Sequence, residues 1–173
     1  MAKENKMPQT QKIKAKDFSK WFVILVSVML LYWMATYTQL LEVNSESLKD
    51  IRYILVTKSA SFRRGDLVSL QGHKPQYVGA HNFTKRIVGL PGDQIFKAKT
   101  ELLIKAKDSS VFTILPLLEK TKEGHLLTPL SPQMIPQGYL FVAGDHPRSF
   151  DSRYEEFGLV SMKNIFGKKL LCW

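Results

Sequence analysis

The sequence predicts a mostly β domain of antiparallel strands preceded by one N-terminal transmembrane helix. Three observations carry this. Trp21 to Leu41, WFVILVSVMLLYWMATYTQLL, contains no charged residue. After it come eight short apolar runs separated by Gly, Pro, Asn and Asp turn signals at fairly regular spacing. No helical periodicity and no internal repeat follow the apolar run.

The elements follow in chain order. Residues 1–20 are polar and lysine-rich and read as a cytosolic tail. Residues 21–41 form the membrane segment; a helix of that length spans about 30 Å, the thickness of a bilayer core. Trp21 stands at one end and Trp33 and Tyr37 lie toward the other, where amphipathic aromatics anchor. The lysines precede the span, so the N-terminus stays in the cytosol and residues 42–173 cross. A cleavable signal peptide is the alternative, but its apolar region would be shorter, about 7–15 residues. A buried soluble helix would carry a polar face. A polar stretch runs from Glu42 to Asp50. Strand-like runs then begin at Ile51 (IRYILV), Asp66 (DLVSL), Phe83 (FTKRIVGL), Gln94 (QIFKA), Glu101 (ELLIKA), Ser110 (SVFTIL), Tyr139 (YLFVAG) and Ile165 (IFGKKLLCW).

Composition narrows the function. The chain has 173 residues and a formal net charge of +10, so an acidic partner must be considered. The charge is spread along the chain. Residues 1–41 hold Lys3, Lys6, Lys12, Lys14, Lys16 and Lys20 against Glu4 and Asp17, and the rest is also basic. With neither a recognition helix nor an aromatic–arginine stripe, a nucleic-acid-binding module ranks last. Cys172 is the one cysteine, which rules out an internal disulfide. No metal, nucleotide or dinucleotide motif occurs, and His73, His81 and His125 are scattered. Neither metal nor cofactor is expected.

Three segments carry chemistry: TKSASFRRGDLV with Ser59 and Ser61, FTKRIVGLPGD with Lys85 and Arg86, and GDHPRSFDSRYEEFG from Gly144. The last two resemble signature boxes of the type I signal peptidases, the serine–lysine membrane peptidases. That family's second box typically reads G-D-N-x-x-x-S-x-D-S-R. Here Gly144, Asp145, Ser149, Asp151, Ser152 and Arg153 fill its pattern, with His146 in place of Asn. Leu159, Val160 and Ile165 to Lys168 are similar to the family's closing strand, and the resemblance covers most of residues 50–170. The serine box departs from S-x-S-M-x-P: Phe62 replaces Met, Arg63 stands near the expected Pro, and Gly65 and Asp66 come early. This short spacing is closer to the plasmid conjugative-transfer branch, the TraF-like peptidases that mature pilin.

The resemblance implies a signal-peptidase-like β domain on the extracytoplasmic side of a bacterial inner membrane. It implies cleavage of leader peptides from exported precursors after small residues. Ser61 would attack and Lys85 would serve as base. The Ser61 amide and the Ser59 hydroxyl would form the oxyanion hole, and Ser149 would orient the lysine. The residues add a physical reason. A serine hydroxyl needs an adjacent base. Lysine serves only when neutral, and burial lowers its pKa. Period-2 alternation puts Phe83, Lys85 and Ile87 on one face and Thr84, Arg86 and Val88 on the other. Lys85 is therefore the inward base, and Arg86 is available to a carboxylate. Gly89, Pro91 and Gly92 read as turn chemistry that ends the strand before Asp93. Asp145, Asp151 and Arg153 read as a structural ion-pair cluster, with Ser152 beside them. The substrate is expected as an extended strand against a sheet edge near DLVSL.

The remaining readings are conjugative pilin maturation, with or without cyclisation, and a non-catalytic membrane assembly protein that keeps the fold. A triad of Ser149, His146 and Asp145 is disfavoured, because near neighbours in the chain rarely aim their reactive atoms at one another.

Overall fold

The computed structural model describes residues 10–42, 48, 51–59, 61–78 and 83–173, with side chains from Phe18 onward. Residues 1–9, most of the polar stretch after Glu42, Ala60 and residues 79–82, His81 among them, lie outside the described residues. The chain divides into two compact units, residues 1–38 and 39–173.

The first unit is helix α1, Thr10–Tyr37. Its stretch Phe18–Tyr37 has 20 residues and a mean hydropathy of 1.7, long and apolar enough to cross a membrane. The helix stops four residues before the predicted Leu41. Thr36 Oγ1 donates to the carbonyls of Tyr32 and Trp33, and Thr38 Oγ1 donates to that of Met34. These hydroxyls cap the last turn, and the next residues enter a strand, β1 (Thr38–Glu42).

The second unit is mostly β, as predicted, with one 3-10 turn at Met162–Asn164. Its strands are β2 (Tyr53–Thr57), β3 (Leu67–Leu70), β4 (Phe83–Gly89), β5 (Gln94–Lys97), β6 (Glu101–Lys105) and β7 (Phe112–Pro116). After them come β8 (Gln133–Met134), β9 (Tyr139–Ala143), β10 (Val160–Ser161) and β11 (Ile165–Cys172). One sheet has the order β1-β2-β11-β3-β4-β9-β10, the other β7-β6-β5-β8. All eight predicted runs are strands. The three unpredicted ones are the end of the apolar run (β1) and two pairs of residues (β8 and β10), too short to display a period.

The C-terminal strand β11 lies between β2 and β3. This overturns one expectation: β3, the DLVSL strand, is paired on both sides and offers no edge to a substrate. A free flank occurs instead on β4. Its Phe83–Arg86 half pairs with β3, whereas β9 meets only Arg86–Gly89. Among the described residues, the β9 side of Phe83–Lys85 is left without a strand.

Alternation on β4 separates two cores. Ile87 joins Val68, Leu70, Leu140, Val142, Phe157 and Val160. Val88 packs instead on Ile95, Leu102, Ile104, Ile135 and Phe141. Gly89 proves to be a packing glycine as well as the end of β4. A Cβ there would meet Ile135 Cδ1 at 2.5 Å and Phe141 Cβ at 2.9 Å. The turn itself belongs to Pro91 and Gly92, whose φ of 91° favours glycine.

Candidate active site

Lys85 is 4% exposed, and its Nζ donates to Ser149 Oγ at 2.7 Å. Burial pulls its pKa down to about 8; the negative charge of Asp151 opposes this and the positive charge of Arg153 adds to it. A buried lysine that loses its proton near neutrality can act as a base.

Ser149 is held from behind. The buried Arg153 guanidinium donates to both Asp151 oxygens at 2.8 and 2.9 Å. It also donates at 2.8 Å to the carbonyls of Pro116, Pro147 and Ser149. Asp151 in turn accepts from the Gly144 amide at 2.9 Å, and the Ser152 hydroxyl accepts from the Val142 amide at 3.2 Å. The polar loop is thus wound around one fully bonded cation, which fixes the backbone of Ser149. The expected single ion cluster is two separate pairs. Asp145 belongs to Arg86, which donates to both its oxygens at 2.7 Å. Arg86 also donates to the Gly65 carbonyl at 3.1 Å, tying the serine loop to the Gly144 loop.

The serine loop joins β2 to β3 and docks on β4 just past the lysine. The Gly65 amide donates to the Ile87 carbonyl at 2.8 Å, and the Ile87 amide to the Asp66 carbonyl at 2.9 Å. Phe62 packs on the cluster around Ile87 and Val68. Sequence reasoning missed two further anchors. Arg64 donates to the Val88 carbonyl and, at 2.6 Å, to the buried Asp93 carboxylate. Asp93 also accepts the amides of Leu90 and Lys107. Lys168 Nζ donates to the Ser61 carbonyl at 3.1 Å. The doubled arginine ahead of Gly65 was the only sequence signal for the first anchor.

Lys168 also fixes the side from which Ser61 is presented. Val68 faces Lys85 across β3–β4 and Lys168 across β3–β11. Directly opposed residues project to the same face of a sheet. Lys85 and Lys168 therefore share a face, about 10 Å apart as two strand spacings. Ser61, held by Lys168, lies over the face that carries Lys85.

Ser61 is exposed and Ser59 half-buried. The Ser59 hydroxyl accepts from the Ser61 amide at 3.3 Å and donates to the Ser61 carbonyl at 2.9 Å. The two expected oxyanion donors are adjacent, and here they engage each other. His146 is not set against Ser149 as a base; its Nδ1 accepts from the Arg148 amide at 3.1 Å. Among the described residues, no group of His, Cys, Asp and Glu is arranged to hold a metal ion.

A family described as signal peptidase, peptidase S26, matches residues 15–173. A signal peptidase I of Bacillus amyloliquefaciens is 32% identical over 175 residues, covering 95% of this chain and 91% of that protein. A signal peptidase I P of Bacillus subtilis subsp. natto is 30% identical over 175 residues, covering 91% and 89%. The crystal structure of a signal peptidase I from Enterococcus faecalis aligns with 24% identity and a TM-score of 0.38, covering 62% of this chain and 96% of that one.

Proposed function

The chain belongs to the signal peptidase S26 family, and we propose that Ser61 is its nucleophile and Lys85 its general base. It is a serine endopeptidase that cleaves signal peptides from exported precursor proteins. The observation that carries the assignment is the buried Lys85 amine, bonded to Ser149 and poised to lose its proton at about pH 8.

Neutral Lys85 takes the Ser61 proton as Oγ attacks the scissile carbonyl. The Ser61 amide and the Ser59 hydroxyl, once turned away from the Ser61 carbonyl, receive the developing oxyanion. The Lys85 ammonium then protonates the leaving amine, the C–N bond breaks, and the acyl-enzyme remains. Water then gives a proton to Lys85 and attacks the ester carbonyl; the Ser61 Oγ–C bond breaks, and Lys85 returns the proton to Ser61 Oγ. Ser149 orients the amine throughout. The substrate lies extended along the free flank of Phe83–Lys85, where the backbone has β3 on one side and is open to a second partner on the other.

The domain arrangement belongs to the same proposal. The residues before Phe18 stay in the cytosol, Phe18–Tyr37 cover the lipid span, and 38–173 form the catalytic domain outside the bacterial inner membrane. The short distance from Ser61 to Gly65 is the one feature that favours pilin maturation as the specific task. A mating-pair or pilin gene beside this one, and cleavage of that pilin by the purified chain, would support it. A non-catalytic role gains nothing from the altered serine box, because Phe62 packs into a core and the Arg63 amide donates to Asp66 within the loop.

Precursor cleavage tests the assignment. Ser61→Ala and Lys85→Ala each abolish cleavage while the protein still accumulates, and the two losses do not add. A dead Ser59→Ala beside an active Ser61→Ala moves the nucleophile by two residues. Normal cleavage by all three variants sinks the dyad.

A further inference from the structure

A cavity of about 420 Å³ reaches Ser149, the hydrogen-bond partner of the candidate catalytic lysine. Ser149, whose hydroxyl accepts from Lys85, is part of its wall, with Arg148 and Phe150 on either side in the chain. Another part of the wall is the turn from Lys120 to Leu127, closed by the bridge between Lys120 and Leu126. Tyr77 stacks on His125 of that turn, with ring centroids 4.6 Å apart and planes 5° from parallel. The walls are ordered aromatic and aliphatic surfaces, and the volume suits one or two side chains.

The polar groups lining this cavity are strongly biased. Lys120, Lys122, Arg148 and His125 face a single carboxylate, Glu123. Among the described residues, neither Arg148 nor Lys120 carries an ion pair. A basic, partly aromatic cavity suits an acidic side chain.

The charge selects which half of the substrate enters. On the proposed dyad, a bound precursor leaves the catalytic centre in two directions. The signal half has a positively charged start, an apolar middle and small residues at the cut. It brings no acid, and its cationic end would be repelled. The mature half is free to carry Asp or Glu. We propose that this cavity binds an acidic side chain of the mature segment, a few residues downstream of the scissile bond. The enzyme thus reads both sides of the cut: small residues before it and negative charge after it. This rests on the dyad reading, because Ser149 is what joins the cavity to the chemistry.

The test uses the full chain in neutral detergent. The probes are fluorescein-labelled peptides that mimic the start of a mature protein, Ala-Asp-Glu-Asp-Gly and Ala-Lys-Lys-Lys-Gly. Anisotropy should find the acidic peptide bound about tenfold more tightly at low salt, two or three surface charge pairs each contributing a few-fold. The difference should shrink at 1 M salt, where the screening length is about 3 Å. Reversing the wall with Arg148→Glu and Lys120→Glu together should invert the order. Precursor peptides that share one signal half should follow the same order in kcat/KM. Equal binding of the two peptides, or a preference that survives the double reversal, overturns the proposal. So does binding of phosphatidylglycerol vesicles with none of the acidic peptide. Acidic-peptide binding without any cleavage would support the cavity and sink the dyad.

Discussion

At the scale of the residue, Lys85 works against the fold that holds it. Its folded pKa is about 8, against the ordinary 10.5. Below pH 8 both the folded and unfolded chains carry the proton, and only the folded one bears the cost of burying it. Between pH 8 and about 10.4 the unfolded chain binds more protons, so stability rises with pH. Above that window the difference is gone. The penalty at neutral pH is of order 3 kcal/mol. Lys85→Met, which keeps the length and removes the charge, should therefore raise the thermal midpoint at pH 6–7. The gain should fade as pH approaches 10; a gain that is flat across pH would contradict a buried charge as its cause. On the proposed dyad the same titration sets the pH dependence of cleavage. Cleavage by the native chain should rise with pH and level off above about 8. Lys85→Arg should be as inactive as Lys85→Ala, because a guanidinium keeps its proton. Ser149→Ala should keep reduced, measurable turnover, since it removes orientation and leaves the base.

At the scale of the element, β4 was legible and the serine loop was not. Phe83, Lys85 and Ile87 alternate with Thr84, Arg86 and Val88, so the inward lysine could be read from period 2 alone. The strand order could not. No local pattern announces that β11, at the far end of the chain, will separate β2 from β3 and remove the edge of DLVSL. The loop anchors were hidden for the same reason. Arg64 finds Asp93 29 residues away, and Lys168 finds Ser61 107 residues away. Gly89 looked like a turn because Pro91 and Gly92 follow it, while its crowding comes from Ile135 and Phe141. Two substitutions separate anchoring from folding. Asp93→Ala leaves two amides and a guanidinium without their acceptor and should cost about 2–5 kcal/mol in denaturant titration. Arg64→Ala should cost less than Asp93→Ala, because the Leu90 and Lys107 amides still bond the buried carboxylate. It should still lower kcat/KM several-fold by loosening the loop before Gly65. An Arg64→Ala chain that cleaves at the native rate would show that the other loop anchors suffice.

At the scale of the whole molecule, the sequence divides the labour that the structure assigns. The apolar run made the helix visible, and its exposed side chains, 70% for Trp21 and 65% for Leu31, call for a non-aqueous neighbour. The β unit is different. Its buried clusters are built from residues between Leu48 and Val160, so it needs no helix to complete a core. A chain of residues 38–173 should therefore fold and unfold cooperatively on its own. If the helix serves only as an anchor, this fragment should cleave a soluble peptide spanning a signal-peptide junction with kcat near that of the full chain. It should lose ground on a precursor embedded in vesicles, where co-localisation with the enzyme raises the effective concentration. Orientation is checked separately: a reporter fused after Trp173 should be active only outside the cytosol, because the lysines precede the span. A fragment that folds but fails on the soluble peptide would mean that the helix helps shape the site. Equal rates on the vesicle-embedded precursor would mean that anchoring adds nothing to turnover.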